Sequence, residues 1–173
     1  MMTVPSDSPS SGAVGATTSA RPPRAASPVS LRLAMVVFLG GAVGTGLRYL
    51  LSALPQAGAV HVGTLAANLA ACLAYAALTS YLSQASWIPR RRKEPISRGM
   101  GMGLCGGLST MSTLALEEFD ALHAGDLLGG AGYCLVTFAG GLLAAWAGVR
   151  LGLVLSRRRE MAALAVEERE TAR

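Results

Sequence analysis

From Leu31 onward the chain alternates long apolar blocks with short polar breaks. The first block runs from about Leu31 to Leu54 and ends at Pro55. The second, from about Val60 to Ala85, carries no charge and stops before Trp87 and Pro89, an interfacial aromatic followed by a helix breaker. A third spans about Gly99 to Leu116 and is rich in Gly, Ser and Thr. The fourth runs from Leu127 to Val149, with room to continue to Leu155. Each is close to the roughly 20 residues with which a helix crosses about 30 Å of hydrocarbon. The pattern predicts an all-α membrane protein with four transmembrane helices over residues 31–156. Gly40, Gly41 and Gly44 in the first block, and Gly140, Gly141 and Gly148 in the fourth, predict close backbone contact, because lipid offers no hydrophobic drive for helix association.

The ends differ from this core. Residues 1–30 contain almost no large apolar side chains and are expected to be disordered, since they cannot bury enough surface to offset their ordering entropy. Residues 157–173 form a charged tail. At 173 residues, 51% hydrophobic and 14% charged, the chain is too apolar for an ordinary soluble domain. Its net charge of +5 does not point to nucleic acid, because the basic residues lie between the apolar blocks rather than along one amphipathic face.

Those basic residues set an orientation. Arg21, Arg24 and Arg32 precede the first block; Arg90, Arg91, Arg92, Lys93 and Arg98 follow the second; Arg150, Arg157, Arg158, Arg159, Arg169 and Arg173 close the chain. With an even number of spans all three groups share one side, leaving only Arg48 toward the other. The positive-inside rule makes that side cytoplasmic, with both termini inside a plasma-membrane protein. The acidic loop of Glu117, Glu118, Asp120 and Asp126 is then external.

Polar groups within spans are expensive in lipid and mark either a path or a helix contact. Asn68 stands in the second span with Thr64 one turn before it. Arg48 reads as an interfacial anchor or as an attractor of anions. In the third span Gly106 and Gly107 precede Ser109, Thr110, Ser112 and Thr113, a composition poor for a continuous helix. A break at the diglycine is expected, and unwound carbonyls at that depth can hold a cation. Tyr133 and Thr137 share a face of the fourth span. Spacing alone leaves Asn68 as interhelical glue or a path-lining amide, and lone hydroxyls as backbone-bonded or functional. Glu117 reads as a solvated helix end, and His61 and His123 as surface histidines. Cys72, Cys105 and Cys134 lack paired spacing and read as packing residues.

Three motifs, in order and each on its own span, resemble the Fluc/CrcB family of fluoride channels: GGAVGTGLRY from Gly40 to Tyr49, GTLAAN from Gly63 to Asn68, and GLCGGLSTMST from Gly103 to Thr113 followed by Glu117. The resemblance implies an antiparallel dimer enclosing two fluoride pores, with a structural Na+ at its centre held by the carbonyls of Gly106 and Ser109. It implies an ion pathway lined by Asn68, with Thr64, Ser112, Thr113, Tyr133 and Thr137 as polar pathway or supporting groups. Fluoride is small and strongly hydrated, so such a pore must replace water with hydrogen-bond donors.

Two departures follow. Met111 and Leu114 stand where the family usually has phenylalanines whose electropositive edges can face an anion, so a nonconducting or regulatory subunit is the alternative reading. The charge bias inserts the chain one way only, so its antiparallel partner is expected to be a distinct paralogue rather than a second copy. A small multidrug exporter would need a glutamate in the first span, which has no acidic residue. An intramembrane serine protease would need a histidine in the spans, which have none, and no enzyme is expected.

Overall fold

The computed structural model describes residues 30–54 and 60–171, so the expected disorder of the N-terminal segment falls outside the described residues. Among the described residues every regular element is helical. They are α1 (Leu31–Leu51), α2 (Val62–Gln84), α3 (Arg90–Ile96), a π-helical stretch (Ser97–Cys105), α4 (Gly106–Leu108), α5 (Met111–His123) and α6 (Leu127–Thr171). Three helices are long and apolar enough to cross a membrane: Leu31–Leu51, Val62–Gln84 and Leu127–Ala165 within α6. The remaining span, third in chain order, is the interrupted run from Arg90 to His123, no single element of which reaches that length.

This run is longer than its apolar block. Arg90–Lys93, expected in a loop, begin α3, with Pro89 at its N-cap, a position where the missing N–H is harmless. Pro95 removes a donor inside α3, and the hydrogen bonding widens to π-helical from Ser97 to Cys105. The run then passes without a gap into α4. α6 is also longer than expected: at 45 residues it extends about 68 Å, so the charged segment after Arg157 continues the helix to Thr171.

Small residues set the packing. α1 lies against the first half of the third span, and α2 against α6. A Cβ at Gly40 would strike the carbonyl oxygen of Gly99, one at Gly44 that of Leu104, and one at Gly103 would stand 2.7 Å from the oxygen of Val37. The two backbones therefore touch along an i, i+4 row of glycines on each side. Gly148 and Gly152 press α6 onto the carbonyls of Leu73 and Ala77 of α2 in the same way. Gly140 and Gly141, expected to do likewise, meet the side chains of Leu69 and Cys72. A small cluster of Ala67, Ala71, Cys105 and Leu108 fills the centre. Phe38, Leu128, Leu142 and Trp146 point outward, as lipid-facing side chains do.

α5 joins α6 through a tight turn. Gly125 adopts φ +80°, its N–H bonds the Leu122 carbonyl at 3.1 Å, and the Asp126 N–H bonds that of Ala121 at 2.9 Å. This closes α5 with a left-handed glycine cap. Asp126 Oδ1 then accepts from the Gly129 N–H at 2.9 Å, capping α6.

Candidate functional site: the interrupted third span

The interruption lies at Ser109 and Thr110, which are extended (ψ 150° and 122°), and not at the diglycine. Gly106 and Gly107 are helical because Gly107 is pressed on the Gly41 backbone of α1, leaving no room for the chain to unwind there. The break itself is imposed by a side chain. Asn68 of α2 accepts the Thr110 N–H on Oδ1 at 2.7 Å and donates Nδ2 to the Thr110 carbonyl at 3.1 Å, a two-point clamp on one peptide residue.

Thr110 is also the N-cap of α5. Its Oγ1 accepts the Thr113 N–H at 3.2 Å and lies 2.9 Å from Thr113 Oγ1 and 3.4 Å from Ser112 Oγ. A continuous helix would give the Thr110 N–H to the Gly106 carbonyl and the Thr113 N–H to the Ser109 carbonyl. Both donors are drawn away, so the two oxygens named as cation ligands are the ones whose usual i+4 partners are diverted. The break thereby sets the carbonyl end of one helix segment beside the N–H end of another, the polarity that suits a cation on one side and an anion on the other.

Two grooves flank Thr110. Asn68, Ser109, Met111, Leu114 and Thr137 line one of them, a mostly apolar cleft. Within it the Thr137 hydroxyl is buried without a hydrogen-bond partner, and Leu114 is buried while Met111 is exposed. Arg48, Thr64 and Thr113 line the other, together with Thr45 and Ser52. Ser112 stands exposed on α5, and Gly106 faces open space on the surface of the single subunit. Tyr133 is separate from both grooves: it is 2% exposed and belongs to a cluster one step further along α5.

That cluster is built on Glu117, which is not the solvated helix end expected of it. Its side chain is 12% exposed. Thr64 Oγ1 donates to Oε1 at 2.5 Å, and the Tyr133 hydroxyl donates to Oε2 at 2.8 Å. His61 is likewise no surface histidine. It caps α2, its carbonyl lies 3.3 Å from the Tyr133 hydroxyl, and its Nδ1 stands 3.7 Å from Glu117 Oε2. His123 is exposed and stacks on Phe119.

Sequence reasoning therefore missed the contacts of Thr110, Glu117 and His61. A signal existed for the first, since Thr110 and Thr113 have the spacing of an N-cap and its acceptor turn. For Glu117 the only clue was that Thr64 and Tyr133, both expected inside, needed a common partner. Nothing in the sequence distinguished His61 from His123. Among the described residues no group of three His, Cys, Asp or Glu side chains could hold a metal, and the three cysteines are free.

Residues 35–149 match the family described as "CrcB-like protein, Camphor Resistance (CrcB)". The chain is 52% identical over 152 residues to "Fluoride-specific ion channel FluC 2" of Bifidobacterium longum, covering 87% of this chain and 85% of that protein. It is 35% identical over 137 residues to "Fluoride-specific ion channel FluC 2" of Nocardia farcinica, covering 78% and 92%. To "Fluoride-specific ion channel FluC" of Stutzerimonas stutzeri it is 36% identical over 125 residues, covering 70% and 97%. The matched stretch contains every element of the interrupted span together with Asn68, Thr64, Tyr133 and Thr137, and the chain belongs to the CrcB-like family.

Proposed function

We propose that this chain is a subunit of a fluoride channel that lets fluoride leave the cytoplasm and so lowers its toxicity. The relatives named as fluoride-specific channels support this reading. The observation that carries it is the Asn68 clamp at Ser109–Thr110. It holds a helix N-terminus and neutral hydroxyl and amide donors together in a cleft without a lysine or arginine, so an anion meets hydrogen-bond donors and no fixed cation to trap it. Asn68 and Thr137 are the pathway groups of this cleft. Thr64, Thr113, Ser112 and Tyr133 support it, and Arg48 lies at its other groove.

The subunit pairs antiparallel with a homologue in the plasma membrane, both termini of this chain facing the cytoplasm. The diverted N–H groups support a structural Na+ held by the carbonyls of Gly106 and Ser109, which lie where the surface of the single subunit is open. A one-sided distribution of Lys and Arg supports a distinct paralogue as the partner, and several relatives carry the number 2 in their names, as members of a set do. Met111 and Leu114 favour a second reading, a subunit that supports a partner's pore without an aromatic edge of its own.

Fluoride efflux from proteoliposomes, followed with a fluoride electrode, tests this. The chain combined with its paralogue passes fluoride and excludes chloride. Efflux from the paralogue alone, raised by adding this chain, would leave the supporting role; efflux unchanged by adding it, or no efflux from any combination, would end the channel reading.

A further inference from the structure

Glu117 sets a problem for an anion channel. Its carboxylate is 12% exposed, and it takes hydrogen bonds from Thr64 and Tyr133, groups placed in or beside the ion pathway. A fixed negative charge there raises the energy of every passing anion, and the effect is strongest where the surroundings are dry. Among the described residues the nearest cationic group is not a lysine or arginine but the imidazole of His61, its Nδ1 3.7 Å from Oε2. That Nδ1 is buried and makes no hydrogen bond. A neutral imidazole protonated on Nδ1 can donate to the carboxylate after a shift of less than about 1 Å, and the doubly protonated ring donates the same bond while adding the positive charge that offsets Glu117.

We propose that His61 and Glu117 form a proton-binding site at the external end of the pathway, in which protonation of His61 neutralises Glu117 and raises fluoride flux. This rests on the channel reading above. With His61 neutral the pair carries one negative charge and opposes fluoride; with His61 protonated it is neutral overall, and the opposing field at the mouth is removed. Histidine is the side chain whose charge ordinarily changes between pH 5 and 8, which sets the range over which the flux is to be measured. The other ionisable groups around the pair are Tyr133 from α6, whose ring lies 6.1 Å from the imidazole, Glu118 on α5, whose Oε1 is buried without a partner, and Arg48 from α1, in the groove shared with Thr64. Asp126 at the start of α6 is engaged in capping and is exposed. Tyr133 already donates to the Oε2 that faces the imidazole, and a carboxylate oxygen has a lone pair for a second donor.

Two measurements test the site. Fluoride efflux is followed at equal internal and external pH from 8 to 5.5, with the flux through protein-free vesicles subtracted, because acid converts fluoride to permeant HF. The unaltered chain with its partner is expected to conduct at least threefold faster at pH 5.5 than at pH 8, and His61→Gln to give a profile flat within a factor of about 1.5. A His61→Gln profile as steep as the original overturns the proposal. Independently, the imidazole of His61 is titrated by nitrogen-15 NMR in a His123→Gln background, which leaves one histidine signal. Glu117→Gln is expected to move its midpoint to lower pH by more than half a unit, and an unmoved midpoint overturns the pairing. Should no preparation pass fluoride at any pH, the channel reading fails while the titration still decides the pair.

Discussion

The two halves of the third span are held in opposite ways. From Gly99 to Leu108 the backbone lies directly against α1, with Gly40 and Gly44 on one side and Gly99, Gly103 and Gly107 on the other, so close that a methyl group does not fit. Beyond Thr110 the contacts are made by side chains: Asn68 to Thr110, Thr64 and Tyr133 to Glu117. The first half is fixed by shape and tolerates no added volume. The second is fixed by hydrogen bonds and depends on the identity of a few donors. A channel needs both, because a polar path can be cut through a bilayer only where a rigid neighbour keeps the opened backbone away from lipid.

Adding volume to the first half breaks the comparison most severely. Gly44→Ala and Gly107→Ala each place a Cβ against a main-chain oxygen, that of Leu104 in one case and of Gly41 in the other, and backbone cannot swing aside as a side chain tip can. Overpacking of this kind costs about 1–3 kcal/mol and more where both surfaces are rigid. Either variant is expected to lose most of its monodisperse peak in size-exclusion chromatography after detergent extraction. A peak equal to that of the original chain would show that α1 and the third span are looser than a backbone contact allows.

Removing a donor from the second half has a smaller and different effect. Asn68→Ala leaves the Thr110 N–H and carbonyl without the clamp, and each partly buried unpaired group costs about 1–3 kcal/mol. The chain should still extract and elute normally, since the glycine contacts are untouched. Fluoride efflux is expected to fall by at least tenfold, because about 2 kcal/mol against the open arrangement corresponds to a shift on the order of thirtyfold. Asn68→Ala with full efflux would separate the clamp from conduction.

Smaller still is the cap. Thr110→Val removes the oxygen that accepts the Thr113 N–H, for about 1 kcal/mol, whereas Thr110→Ser keeps it. Thermal unfolding of the purified protein is expected to fall by a few degrees for valine and to remain within a degree for serine. Equal losses for both would mean that the threonine methyl, and not its oxygen, holds α5 in place.

The scaffold was largely legible in the sequence because it depends on composition: block length gave the spans, and clustered glycines gave the close contacts at Gly40 and Gly44. The interruption was legible as a region but misplaced by two residues. Glycine content suggested weakness at Gly106–Gly107, yet the position of a break is decided by the competitor for the backbone N–H, and Asn68 lies 42 residues away from the Thr110 it captures. Glu117 was misread for the same reason. A carboxylate at the end of an apolar block looks solvated until Thr64 and Tyr133, from two other helices, are seen to converge on it.

The smallest expected effect is also the one that separates a diglycine hinge from a clamped one. Gly106 has helical dihedrals (φ −67°, ψ −36°), and a Cβ built on it meets nothing within 4 Å. If the third span opened because its glycines are flexible, Gly106→Ala would stiffen the hinge and suppress flux as strongly as Asn68→Ala. If Asn68 opens it, the alanine methyl projects into free space and the helical turn gains about 0.4–1 kcal/mol from the smaller entropy of the unfolded chain. The expected result is an unfolding temperature of the isolated subunit equal to or slightly above the original, beside a large loss for Gly107→Ala one residue on. The two glycines differ by one position in sequence, and only the methyl at Gly107 would meet the α1 backbone. A destabilised Gly106→Ala subunit would mean that the turn before Ser109 is not an ordinary helix, and the assignment of the break to the Asn68 clamp would fall with it.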